Sequence, residues 1–302
     1  MRPPKNYNLF RNGSSQVNLI SRALIGPDMS NLCLHTGGIA VDYNKLGNFT
    51  PPEPTKTYTP MSHVELASMV KEAATRLLPE MELISEDYGV SPKSGENSGN
   101  RMFGVLTYEV PGCSDMGLSL GMRNSYDQSL SVGVCSGSKV FVCDNLAFVG
   151  NVKVARKHTG ELHAQMEKLI SYSISQSPKH FQQVLEDRKE LQNISLNDDQ
   201  AWSILGVAYG RELIKPRQLL LAMRAWQEPP QDAFRPRNAW SLYNAFTEAL
   251  KSSSALDVME SHIDIHDFFM EFTEEIPRLN GWLKVQGWTE QDADLLPHAE
   301  MD

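Results

Sequence analysis

Residues 118–142 read Leu-Ser-Leu-Gly-Met-Arg-Asn-Ser-Tyr-Asp-Gln-Ser-Leu-Ser-Val-Gly-Val-Cys-Ser-Gly-Ser-Lys-Val-Phe-Val. Large apolar side chains fall at Leu118, Leu120 and Met122, then at Leu130, Val132 and Val134, then at Val140 and Val142. Small or polar residues separate them. A period of two belongs to a strand, whose successive side chains point to opposite faces of a sheet. Asn124–Asp127 and Cys135–Ser138 carry turn chemistry between the runs. The stretch therefore predicts an antiparallel meander of four or five strands, between about residues 80 and 155, with one face buried. Ser91–Asn100, rich in Gly, Ser and Asn, reads as a long mobile hairpin loop between two of its strands.

On either side the period changes. Ser62 and Glu65 have the spacing of a capping box, and Leu66, Met69, Val70, Ala73, Leu77 and Leu78 follow at helical spacing. After Thr159, a fair N-cap, the chain reads as helical through Leu162, Met166, Leu169, Ile170 and Ile174. Ser177-Pro178 marks the start of another helical run, Ser195–Leu213 a further one, and Pro236 precedes one through Trp240, Tyr243, Phe246 and Leu250. Trp202, Trp226 and Trp240 are expected in the core. Strands followed by helices, without alternation, predict an α+β fold: an antiparallel β-meander core flanked by an N-terminal helix and followed by a helical C-terminal half. Residues 1–60, with brief apolar runs at Val17–Ile25 and Ile39–Val41, form an extended lead-in that closes in the proline-rich linker Thr50–Pro60. Residues 61–254 are the core, with the sheet at about 80–155 and helices at about 160–254. Residues 255–302 are an acidic C-terminal region.

Charge is placed unevenly. The 302 residues hold 28 Lys+Arg against 37 Asp+Glu, a formal net charge of -9. Eleven of the acids lie in residues 260–302, opposed only by Arg278 and Lys284, which leaves the remaining body neutral. Residues 120–160 are locally positive, with Arg123, Lys139, Lys153, Arg156 and Lys157 against Asp127 and Asp144. That arrangement permits a polyanionic partner that the whole-chain charge would repel. No run of 18 apolar residues predicts a membrane span, and the start lacks an apolar signal core. Four cysteines (Cys33, Cys113, Cys135 and Cys143) share no CxxC spacing. They fit a reducing, intracellular compartment. His262 and His266 are four apart, but the acids around them suggest a solvated face, and no metal or cofactor is expected. No P-loop, G-x-G-x-x-G or G-x-S-x-G occurs.

The densest polar stretch is Arg123–Ser129. A tight turn accounts for Asn124, Ser125 and Asp127. It does not account for Arg123, whose fork suits a phosphate. Lys139 and Phe141 share the face opposite Val140 and Val142, and Lys153, Arg156 and Lys157 form a basic run after the sheet. Arg123, Asn124, Ser125, Tyr126, Lys139, Phe141, Lys153, Arg156 and Lys157 are therefore the candidate nucleic-acid contacts, with Tyr126 or Phe141 stacking on bases. An alternative gathers Arg123, Asn124, Asp127, Asn145 and His158 around a small or nucleotide-like substrate. Asp127, His158 and Cys143 are then the candidate catalytic groups, although Cys143 reads equally as a small core residue. A third reading is an oligomeric interaction protein that blocks a host defence.

Arg123–Ser129, Val140–Asn145, Arg156–Thr159 and the later Asn238–Glu248 resemble, in that order, the phage/plasmid-like family called domain of unknown function 932. The likeness spans about Ser62 to Leu250. It implies a phage, prophage or plasmid gene acting in the host cytoplasm, and puts weight on Arg123, Asn124, Ser125, Asp127, Cys143, Asn145, His158 and Asn244. The combined expectation is a homo-oligomeric protein that binds nucleic acid, single-stranded DNA above all, in replication, recombination or host takeover, without a membrane. A fold-level analogy with single-strand annealing proteins points the same way. The acidic region would compete for the basic strip or recruit a host or phage protein.

Overall fold

Six strands pair antiparallel and strictly in chain order, β1(Ile39–Val41), β2(Glu82–Val90), β3(Arg101–Val110), β4(Cys113–Ser125), β5(Gly133–Val140) and β6(Asn145–Phe148). The sheet curls into a half-barrel accompanied by seven helices, mostly in the C-terminal half. These are α1(Tyr43–Leu46), α2(His63–Leu77), α3(Leu162–Asn193), α4(Asp198–Gly210), α5(Pro216–Gln227), α6(Ala239–Leu250) and α7(Val258–Val285). The computed structural model describes residues 38–91, 99–141, 145–148, 162–253 and 258–285. The α+β class expected from the period change is the class observed. Ile39–Val41, read as part of an extended lead-in with short strands, is the edge strand β1, paired with Tyr88–Val90.

Alternation sorts the two faces of the sheet. Met102, Leu106 and Tyr108 of β3, Met116–Met122 at even positions of β4, and Val134 of β5 face one way. They bury against Leu66 and Val70 of α2 and Met166, Ile170 and Ile174 of α3. Each such aliphatic side chain withdrawn from water is worth about 1.5–3 kcal/mol. The opposite face is also covered: Phe103, Val105, Cys135 and Leu146 pack on Met259 and Ile263 of α7. One solvated face was expected. Instead the last ten residues of β4 and all eight of β5 are buried.

Three local readings change with this arrangement. Cys135–Ser138 is no turn but the middle of β5, in register with Leu118–Gly121. Small side chains at Gly133, Ser136, Gly137 and Ser138 let covering elements come close to the sheet. Pro178 starts no new helix. It lies inside the 32-residue α3, and the Ile174 carbonyl, which its missing N–H leaves unserved, accepts instead from Ser177 Oγ at 2.7 Å. Residues 258–285 are a helix whose His262 and His266 are buried, although the acids there suggested a solvated stretch. The capping box at Ser62 and Glu65 is present as expected. Trp226 and Trp240 are core, while Trp202 is half-buried against it. Thr159 and most of the Ser91–Asn100 loop lie outside the described residues.

Candidate functional site

Arg123 and Asn124 are neighbours in β4, so their side chains leave the sheet on opposite faces. On the α7 side Arg123, 8 % exposed, places Nη1 2.7 Å from Glu260 Oε2. On the α2 side Asn124 Nδ2 donates to the Met61 carbonyl (2.7 Å) and to His63 Nδ1 (3.0 Å). His63 Nε2 in turn donates to the Gly99 carbonyl at 2.9 Å, which fixes a neutral tautomer. Burial drives the His63 pKa from its ordinary value near 6.5 down to about 4, against the contrary pull of the Gly99 bond.

Tyr126 stacks on His63, with centroids 4.0 Å apart and planes 4° apart. Its hydroxyl accepts from the His63 amide and donates to the Phe49 carbonyl. The ring proposed to stack on a base is thus spent inside the protein, its pKa pushed up by burial to about 12. Ser125 Oγ closes the tip through the Leu130 amide and carbonyl, and Gln128 takes the left-handed conformation, φ 60°. Asp127 accepts from the Ser129 amide and from Arg101 Nε at 2.8 Å. Partial burial pushes its carboxyl up, but these bonds outweigh it and hold the carboxyl below its usual range. The whole Arg123–Ser129 stretch therefore acts as a clasp around the end of the hairpin.

The other sequence candidates go elsewhere. Lys139 is 8 % exposed in β5, while Phe141 is half-buried, its ring lying where a side chain at Gly117 would sit. Asn145 Nδ2 donates to the Asn244 carbonyl (3.2 Å) and Oδ1 (3.3 Å), tying β6 to α6. Arg123, Asn124, Asp127 and Asn145 thus each bind different partners, with none shared among the four. Cys143, Lys153, Arg156, Lys157 and His158 lie outside the described residues. No group of three or more metal-type ligands occurs among the described residues.

A concentration of free cationic side chains appears where the sequence reading did not look. Arg217 and Arg224, seven apart on one face of α5, line an open groove of about 350 Å³ together with Leu221, Ala225, Pro230 and Lys251. Lys251 pairs with Glu248 at 2.6 Å, and both Glu248 and Glu228 line the groove as well. Arg217 and Arg224 are exposed and make no ion pair among the described residues. Arg101, Arg123, Arg188, Arg211, Arg235 and Arg237 each have a carboxylate within 3.6 Å, and Arg76 donates to Ser171 Oγ. The signal was in the sequence: Lys215-Pro216 opens a helix, and the spacing Arg217, Leu221, Arg224 aligns one face.

Such an arrangement defines a helix-clasped antiparallel half-barrel with an arginine-lined groove on its helical side. The chain belongs to the family described as domain of unknown function 932, whose model matches residues 107–262, from the middle of β3 to the first turns of α7. No curated protein and no solved structure matches it. No helix among the described residues is long and apolar enough to cross a membrane.

Proposed function

We propose that this chain is a mobile-element protein, of phage or plasmid origin, that binds single-stranded nucleic acid in replication, recombination or host takeover. The observation that carries the reading is the pair Arg217 and Arg224, exposed and in no ion pair among the described residues, over a groove whose lining also holds Glu228 and the Glu248–Lys251 pair. Guanidinium forks suit phosphate oxygens, and Leu221, Ala225 and Pro230 offer a flat apolar floor for a base. A duplex would need a broader positive face than one helix supplies. The run Lys153, Arg156 and Lys157, outside the described residues, adds further positive charge along the chain. Lys139 and Arg123, by contrast, act in this reading as supports of the sheet.

Anisotropy of a labelled oligothymidylate tests the proposal, titrated with protein at about 50 mM and about 200 mM salt. Binding that weakens steeply with salt is expected, and Arg217→Glu/Arg224→Glu is expected to lower affinity at least tenfold with an unchanged melting temperature. No binding at the lower salt, or indifference to the double substitution, refutes it.

A further inference from the structure

The groove on α5 is not uniformly cationic, and the exception lies at one end. Arg217, Leu221, Arg224 and Glu228 follow one another at intervals of four, three and four residues, so they line one side of the helix. At 1.5 Å per residue Arg217 and Arg224 are about 10 Å apart along the axis, and Glu228 is about 6 Å further on. Glu228 ends the helix with non-helical backbone (φ -126°, ψ 77°), and Pro229-Pro230 stiffens the chain directly after it. Its carboxylate is exposed, with no hydrogen-bond or ion-pair partner among the described residues. Glu248, the other acid of the lining, is held by Lys251 at 2.6 Å.

A free carboxylate repels phosphate, so at this end of the groove a bound strand presents a base and not its backbone. Guanine alone among the DNA bases carries two adjacent donors on its Watson–Crick edge, the ring N1–H and the 2-amino group. They match the two oxygens of a carboxylate in a charge-assisted, bidentate pair. Adenine and cytosine each set one amino group beside a ring acceptor, and thymine sets one N–H between two carbonyls, so each brings a lone pair against the carboxylate. We infer that Glu228 makes the groove selective for guanine, with Arg217 and Arg224 on the phosphates and Pro230 against the base. The inference rests on the nucleic-acid reading above and names the base that the same site prefers. Hypoxanthine, which keeps N1–H and lacks the 2-amino group, is the discriminating probe, because a site that uses a donor pair loses that gain when one donor is missing.

Anisotropy at about 50 mM salt tests it with four labelled oligonucleotides of equal length. One is oligothymidylate, and in the others every third thymine is replaced by guanine, hypoxanthine or adenine. The guanine strand is expected to bind at least fivefold more tightly than the hypoxanthine and adenine strands, which offer a purine ring system of the same kind for stacking. Glu228→Gln is expected to erase that difference and, by removing a charge that repels phosphate, to strengthen oligothymidylate binding, which a folding defect would not do. Equal affinity for the guanine and hypoxanthine strands overturns the inference, as does a guanine preference that survives Glu228→Gln. In either case oligothymidylate binding that requires Arg217 and Arg224 leaves the proposed function standing, whereas absence of binding by all four strands overturns both.

Discussion

His63 sits where acid should unfold this protein first. In the folded chain its ring is stacked on Tyr126, accepts from Asn124 and donates to Gly99, and its pKa lies at about 4 where an unconstrained imidazole titrates near 6.5. Between those values the unfolded chain binds a proton that the folded chain refuses, so stability rises with pH and falls on acidification. At about 1.36 kcal/mol per pH unit, the complete loss is about 3 kcal/mol, of which about 2 kcal/mol is lost between pH 7 and pH 5. His262, fully buried and held at about 3 by desolvation, takes about 2 kcal/mol more over the same interval. Urea unfolding at pH 7 and pH 5 reads the sum, and His63→Gln isolates one share. The variant is expected to be less stable at pH 7, yet to lose about 2 kcal/mol less than the parent on going to pH 5. Equal pH dependence of the two proteins, or a His63 ring titration by NMR centred near 6.5, would refute the reasoning.

Three further outcomes follow from the packing. Gly117→Ala places a methyl 2.7 Å from the Phe141 ring and 2.8 Å from the Tyr108 carbonyl, and the carbonyl cannot yield, so calorimetry should show a loss of about 1–3 kcal/mol. Asn145→Ala removes the donor that joins β6 to Asn244, and should lower stability by about 1–2 kcal/mol in denaturant titration, with the α6 end of β6 the first to gain hydrogen exchange. Neutralising Glu290, Asp292, Asp294, Glu300 and Asp302 as amides should tighten oligonucleotide binding at low salt and leave it unchanged at high salt, as measured by anisotropy.

The parts of the fold that were legible in the sequence are those ruled by local chemistry. Ser62 and Glu65 announce α2 because a capping box satisfies donors within four residues. The apolar alternation at Leu118–Met122 announces β4 because burial of one face is periodic. Elements ruled by distant partners were less so. Cys135–Ser138 has turn residues, and only a covering helix on each face makes a strand of it. Residues 258–285 carry the acids of a solvent-facing stretch, yet Met259, His262, Ile263 and His266 lie on the buried side. His266 is accommodated there by Asp187, 3.1 Å away on α3, a partner 79 positions earlier that no local pattern reveals. Of the candidate site, the sequence marks Arg123–Ser129 as a dense polar stretch but not where each side chain points. Whether Arg123 points to water or to Glu260 depends on a helix that begins more than a hundred residues later.

Arg123 reaches Glu260 across 137 residues, Asn145 reaches Asn244 across 99, and Asp187 reaches His266 across 79, so these polar pairs join distant parts of the chain, as Asn124 does in reaching back to His63. Breaking a buried charged pair by removing one member costs more than the pair contributed, because the partner stays desolvated. Arg123→Met removes the buried member of the pair but leaves Glu260, 31 % exposed and open to water, beside β4, so it should lower the melting temperature by only a few degrees, about 1 kcal/mol, while the folded fraction keeps its oligonucleotide affinity. Arg217→Glu, on the exposed face of α5, should do the reverse and weaken binding without moving the melting temperature. A thermal melt and a binding isotherm on the same two variants separate clasp from contact. If Arg123→Met abolishes binding at full stability, the phosphate contact belongs to the sheet and the groove on α5 is not the site.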